Sequence, residues 1–134
     1  MEENLMITVS IETANKLKKK GYPQNIEDSI FKWYKLQALD YALTLEEARD
    51  RAWYDESKKE YYNAPTAQEL MESMPDSITD TDHVYSLTVI KVNNNYWVAY
   101  NELAKPALIS FDGNYLCECL ANLWLWCKKE GYIK

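Results

Sequence analysis

The sequence predicts an α+β fold, in which a small antiparallel sheet is packed by an N-terminal helix, a short middle helix and a long C-terminal helix rich in tryptophan. Two patterns in the last third of the chain lead to this prediction. Residues 83–102 alternate apolar and polar side chains around a run of asparagines, which is typical of a β-hairpin. Residues 115–130 repeat apolar side chains every three or four positions, which is typical of a helix docked on a sheet. Residues 107–111, between them, are expected to add a third strand.

The predicted C-terminal helix has a broad apolar stripe. Its members are Leu116, Cys119, Leu120, Leu123, Trp126 and Cys127. The continuous apolar run is shorter than the roughly 20 residues that a bilayer span needs, so we expect this stripe to face the protein core. Lys128 and Lys129 complement the helix dipole, and Gly131 is expected to end the helix near Glu130.

The N-terminal helix is predicted over residues 11–20, because Ser10 can cap its start and Gly21 can end it. Both this helix and the C-terminal one end in lysines followed by Gly-Tyr, which we interpret as the same helix-ending chemistry used twice. Residues 29–36 are rich in aromatic and β-branched side chains and are predicted to form a strand.

The middle of the chain contains two possible capping boxes. Thr44 with Glu47 predicts a helix over residues 45–60, although its apolar face is thin. Thr66 with Glu69 predicts a short helix that must end before Pro75. The polar stretch that follows, residues 76–83, is predicted to be a loop.

The chain length of 134 residues is most simply explained by one domain that spans residues 1–134. The first residues lack the basic start and apolar stretch of a signal peptide, and we expect a cytoplasmic protein without membrane contact. The three cysteines lie in one predicted helix, where Cys117 and Cys119 are about 200° apart around the axis. We therefore expect free, buried thiols and no disulfide.

The net charge of −6 is placed unevenly. Residues 60–90 contain six acidic residues and no lysine or arginine, which equals the imbalance of the whole chain. This charge argues against a nucleic-acid partner, because affinity for phosphate backbones depends on basic residues. The lysines at positions 16 and 18–20 are explained by the dipole at the end of the first helix.

The sequence contains no recognisable catalytic group of residues. Three glycines are too few for a phosphate-binding loop, and His83 is the single histidine. Asp76, Asp80 and Asp82 lack the glycine and glutamate of a calcium-binding loop. We therefore predict no catalytic residue, no cofactor and no metal ligand.

Contacts with another protein are the leading functional hypothesis. The partner would have a basic surface, and the binding residues would be acids and aromatics of an exposed patch. These candidates are Glu69, Glu72, Asp76, Asp80, Asp82, Trp97 and Tyr100. Trp53 and Tyr54 are further aromatic candidates for this patch. The alternatives are a small-molecule binder or hydrolase-like enzyme with a pocket between sheet and helices, and an acidic inhibitor that mimics DNA or blocks a basic protein.

Four segments resemble small acidic proteins of unassigned function from Bacteroides and their prophages or mobile elements. They are Ile11-Glu12-Thr13-Ala14-Asn15-Lys16-Leu17 running to Gly21-Tyr22, Ala64-Pro65-Thr66, the tyrosine-rich hairpin, and Leu123-Trp124-Leu125-Trp126 followed by Lys-Lys-Glu-Gly. The resemblance covers both ends and the middle helix, and residues 31–62 depart from it most. It implies a cytoplasmic protein of mobile-element origin, and it implies no activity and no site.

Overall fold

The structure is a computed structural model that describes residues 7–24, 31–35, 41–44, 61–103 and 105–133. Helices and antiparallel sheets alternate along these residues, so the predicted α+β class is confirmed. The elements in chain order are α1 (Ile11–Lys19), β1 (Lys32–Lys35), β2 (Tyr41–Thr44), β3 (Tyr61–Asn63), α2 (Ala67–Glu72), β4 (Ser77–Asp80), β5 (His83–Val92), β6 (Asn95–Asn101), β7 (Ile109–Gly113) and α3 (Leu116–Glu130).

The described strands form two antiparallel sheets. Strands β4, β5, β6 and β7 pair in that order, and α3 packs against β6 and β7. Strand β1, which falls within the stretch predicted as a strand, pairs with β2 and β3 in a three-stranded sheet that the prediction did not include. The predicted helix over residues 45–60 lies outside the described residues.

The predicted hairpin is present as β5 and β6. Asn93 and Asn94 form its two-residue turn with φ angles of 51° and 65°. Asparagine tolerates this left-handed region better than most residues, and paired left-handed residues match the twist of the flanking strands. The asparagine run therefore sets the register that places Val98 and Tyr100 in the core.

The prediction of a polar loop over residues 76–83 was wrong. Residues 77–80 are strand β4, which pairs with the start of β5 at the edge of the larger sheet. Only Ile78 of this strand is buried, at 3% exposure, so its sequence lacks the alternation that marks a strand. Pairing with β5 supplies the stabilisation that local sequence does not reveal.

Helix α3 is buried more widely than its predicted stripe. Leu120, Leu123 and Cys127 are fully buried as predicted. The deepest of the described tryptophans, however, is Trp124 at 2% exposure, whereas Trp126 is only half-buried. Trp124 contacts the ring of Tyr22, which follows α1, at 5.4 Å between centroids. Helix α3 therefore packs between the sheet and α1, and a one-sided stripe underestimates its core.

Both long helices end in the same way, as predicted. Gly21 and Gly131 adopt φ angles of 101° and 89°, which favour glycine. The amide of Tyr22 donates to the Leu17 carbonyl at 2.8 Å, and the amide of Tyr132 donates to the Cys127 carbonyl at 2.8 Å. These bonds close the last turn of each helix in a Schellman motif.

Helices α1 and α3 lie side by side and run in the same direction. At their N-terminal ends, the Ser10 amide donates to the Glu118 carboxylate at 2.6 Å, and the Thr13 hydroxyl donates to the other carboxylate oxygen. At their C-terminal ends, the Lys128 side chain lies next to Gly21. The two negative dipole ends therefore meet at one place on the surface.

Other local predictions concern caps, thiols and membrane spans. Thr66 and Glu69 form the predicted capping box at the start of α2. The three cysteines are buried and form no disulfide, as predicted. Within the described ranges, no helix combines the length and apolar character that crossing a bilayer requires.

Candidate binding site

A cleft of about 640 Å³ opens between α1, α3 and the edge strand β7. Its volume falls within the range of about 300 to 1,000 Å³ that is common for ligand sites. The described residues of its lining are three apolar side chains, one amide and five lysines. They are Phe111, Leu125 and Trp126; Asn122; and Lys16, Lys19, Lys20, Lys128 and Lys129. We call this feature the lysine-rimmed cleft.

The apolar floor of the cleft is a consequence of helix geometry. Asn122, Leu125, Trp126 and Lys129 follow a spacing of three and four residues, so they share one side of α3. Leu125 and Trp126 are only half-buried, because they lie beside the face that contacts the sheet. The Trp126 ring stacks on Tyr132 at 5.5 Å and approaches Tyr100 at 6.5 Å. The floor is therefore held in place by the aromatic packing around Trp126.

The lysines of the rim come from the C-terminal halves of two parallel helices. Each group complements its own helix dipole, which is the role expected from the sequence. The parallel packing of α1 and α3 adds a second effect, because it gathers both groups around one cleft. None of these five lysines forms a salt bridge in the part of the chain that the structure describes. The rim therefore presents positive charge that no described carboxylate neutralises.

The cleft has the properties of a binding site for amphipathic anions. Its floor offers partly exposed apolar surface, and its rim offers ammonium groups that donate hydrogen bonds to carboxylates, sulfates or phosphates. Among the described residues that line it, lysine is the one type with a basic side chain, and there is no histidine, cysteine, serine or carboxylate.

The predicted acidic residues lie elsewhere, on α2 and along the open edge of the larger sheet. Glu69 accepts a hydrogen bond from the Thr66 amide and is part of the capping box. Glu72, Asp76, Asp80 and Asp82 are exposed. Asp76 and Asp80 are four strand positions apart, or about 13 Å. Among the described residues, no three acidic, histidine or cysteine side chains are close enough to hold a metal ion. The acids therefore form a spread-out negative edge.

The predicted aromatic patch is corrected by the sheet geometry. Tyr100 is fully buried, and its hydroxyl donates to the Pro75 carbonyl at 2.7 Å. Trp97 is half-buried on the opposite face, where it pairs with Ile90 across the hairpin. Residues three apart in a strand must point to opposite faces, so these two rings could not share a patch. Trp53 and Tyr54 lie outside the described residues.

His83 stands at the start of β5, with its Nδ1 2.9 Å from Oε1 of Glu102. Its side chain is 39% exposed and joins the first residue of β5 to the end of β6. A carboxylate that orients a histidine occurs in catalytic triads, but such a site also needs a nucleophile at the other ring nitrogen. No hydroxyl or thiol among the described residues bonds to that nitrogen. The geometry matches a contact that stabilises the sheet.

The three cysteines have low reactivity. Burial raises the pKa of Cys117 to about 12, and burial also raises the pKa values of Cys119 and Cys127. The thiolate is the reactive form of cysteine, so these side chains are poor nucleophiles at neutral pH. They fill space between α3 and its neighbours.

Sequence reasoning recognised the lysines but missed the cleft that they surround. The repeated Lys-Lys-Xaa-Gly-Tyr ending was visible, and it showed that both helices carry cations in their last turn. Nothing in the pattern showed that the two endings are neighbours. No protein-family model, curated protein or solved structure matches this chain.

Proposed function

We propose that this chain is a non-enzymatic binding protein, and that the lysine-rimmed cleft binds ligands with an apolar body and negative charge. The observation that supports this proposal is the gathering of five lysines around an apolar floor, with no salt bridge from any of them to another described residue. The helix dipole accounts for each group of lysines separately, and the cleft brings both groups together in a chain with a net charge of −6. The three cysteines form no disulfide with one another, which is consistent with the cytoplasmic location that we propose.

The test uses two surfactants with the same twelve-carbon tail and opposite charge. Isothermal titration calorimetry would measure binding of dodecanoate and of dodecyltrimethylammonium below their micellar concentrations. Dodecanoate should bind, and its affinity should fall about two- to fivefold in a Lys16→Gln, Lys129→Gln variant. Its single carboxylate pairs with one wall of the cleft, the variant removes a lysine from each wall, and one exposed ion pair contributes about 0.2–1 kcal/mol. The matched control is Lys91→Gln with Lys105→Gln, two lysines outside the cleft.

Stronger binding of dodecanoate than of dodecyltrimethylammonium, weakened in the cleft variant but not in the control, would support the proposal. Equal binding of both surfactants, or dodecanoate binding that the cleft variant does not weaken, would show that charge recognition in the cleft is absent.

A second candidate function is contact with a basic protein surface through the acidic edge. It is supported by exposed acids along α2 and the edge strand β4, in a stretch without lysine or arginine. Edge strands also carry charge simply to prevent unwanted strand pairing, so this candidate ranks second. Changing Glu72, Asp76, Asp80 and Asp82 to their amides should slow association with a basic partner, and rising salt should do the same. Capture of a partner that is indifferent to both changes would refute it.

A further inference from the structure

The lysine-rimmed cleft has the shape of a groove between two parallel helices. Asn122 and Lys129 mark the ends of its α3 wall, which is therefore about 10 Å long, or two helical turns. Lys16, Lys19 and Lys20 share one side of α1 and form the facing wall. Two helices packed side by side leave a groove into which the ridge of a third helix can fit.

The charge distribution restricts what can occupy this groove. Cations are present on both walls, and the apolar floor of Phe111, Leu125 and Trp126 lies between them. A fatty acid has one carboxylate and can engage only one part of the rim. An amphipathic helix with acids on both sides of an apolar stripe can engage both walls and the floor together. Flanking charges of this kind select partners in helical bundles.

We propose that the groove docks an acidic amphipathic helix of a partner protein. This inference rests on the proposed function and specifies its ligand. Leucine-type side chains of the partner helix contact Leu125 and Trp126, while its glutamates or aspartates lie opposite the lysines of α1 and α3. The partly exposed floor becomes buried, and the rim cations acquire the ion pairs that the described residues do not provide.

The probes are two synthetic 18-residue peptides with the same leucine stripe. One carries glutamate at the positions flanking the stripe, and the other carries lysine there. Fluorescence anisotropy of the labelled peptides, titrated with the full chain, should show at least tenfold tighter binding of the glutamate peptide. The preference should shrink as salt rises, because charges at a surface are screened over about 8 Å at physiological ionic strength.

Variants locate the peptide in the groove. Lys16→Gln with Lys129→Gln should weaken binding of the glutamate peptide about tenfold, whereas Lys91→Gln with Lys105→Gln should leave it within about twofold. Leu125→Ala should weaken both peptides by a similar factor, because both use the floor. Circular dichroism of each variant alone shows that it is folded, so a loss of binding is not a loss of structure.

Dodecanoate separates failure of this inference from failure of the proposed function. It should displace the glutamate peptide, since both occupy the floor. If dodecanoate binds at the groove and the two peptides bind equally or not at all, the helix proposal is refuted while the anion site stands. If neither dodecanoate nor the glutamate peptide responds to the cleft lysines, both proposals are refuted.

Discussion

Replacing Trp124 by alanine should destabilise the domain far more than replacing Trp126. Trp124 is 2% exposed, belongs to the core cluster and contacts the ring of Tyr22, whereas Trp126 lines the cleft and is half-buried. An aromatic side chain buries about 150–250 Å², which at about 25 cal/mol per Å² corresponds to about 4–6 kcal/mol. Measured costs of buried Trp→Ala changes are about 3–5 kcal/mol. Because Trp126 is half-buried, we expect Trp126→Ala to lower the free energy of unfolding by about 2 kcal/mol.

Urea denaturation followed by circular dichroism measures this difference. Small domains have a free energy of unfolding of about 5–15 kcal/mol, so a loss of about 3–5 kcal/mol should move the urea midpoint of the Trp124 variant far down, and the midpoint of the Trp126 variant should move about half as far. Trp97→Ala is the control, since Trp97 is half-buried on the far face of the sheet. If Trp126→Ala loses as much stability as Trp124→Ala, Trp126 is the true anchor and the two-sided packing of α3 is wrong.

Three further outcomes are expected. Stability should fall as pH rises above about 9, because the pKa of Cys117 is near its ordinary value of 9.0 in the unfolded chain but about 12 in the folded protein. By pH 10.5 this one thiol should lower the free energy of unfolding by about 2 kcal/mol. Urea titrations at several pH values measure this dependence, and a Cys117→Ala variant with the same dependence on pH would contradict the burial of this thiol. Gly131→Ala should lower the free energy of unfolding by about 1–2 kcal/mol through backbone strain alone, since φ is 89° and no atom lies within 4 Å of the added methyl. An unchanged denaturation midpoint would argue against the left-handed end of α3. His83→Ala should change the free energy of unfolding by less than about 1 kcal/mol, because the contact of His83 with Glu102 is partly exposed. The variant should bind dodecanoate as the unaltered protein does. Loss of a measurable enzymatic activity in this variant would instead favour an enzyme.

The chemistry of the ends of elements could be predicted from neighbouring residues. The capping box of Thr66 and Glu69, the left-handed turn at Asn93 and Asn94, and the glycine that ends each long helix all appear where the sequence indicated. These features are local, because each depends on a backbone conformation that only a few residue types adopt and on partners within five positions. The same holds for the period of α3, which identified it as a core helix.

The candidate site depended on contacts between distant parts of the chain. Glu118 holds the start of α1 against the start of α3, and Lys128 lies beside Gly21 at the other end, so the two helices are parallel. Their lysines, more than 100 positions apart, thereby surround one apolar floor. No spacing rule relates residues so far apart, and the net charge of −6 pointed toward the acidic stretch instead.

The sequence by itself determined the α+β class, the helix caps, the hairpin turn and the free thiols, because these follow from local backbone preferences and hydrophobic periodicity. Only the tertiary structure decided that residues 77–80 join the sheet, that Tyr100 is buried and Trp97 lies on the opposite face, and that Trp124 is the deeper tryptophan. It also decided that the lysine-bearing C-terminal ends of α1 and α3 lie next to each other. The physical reason is that burial and charge at each of these places depend on which elements pack together, and that packing is a property of the whole chain.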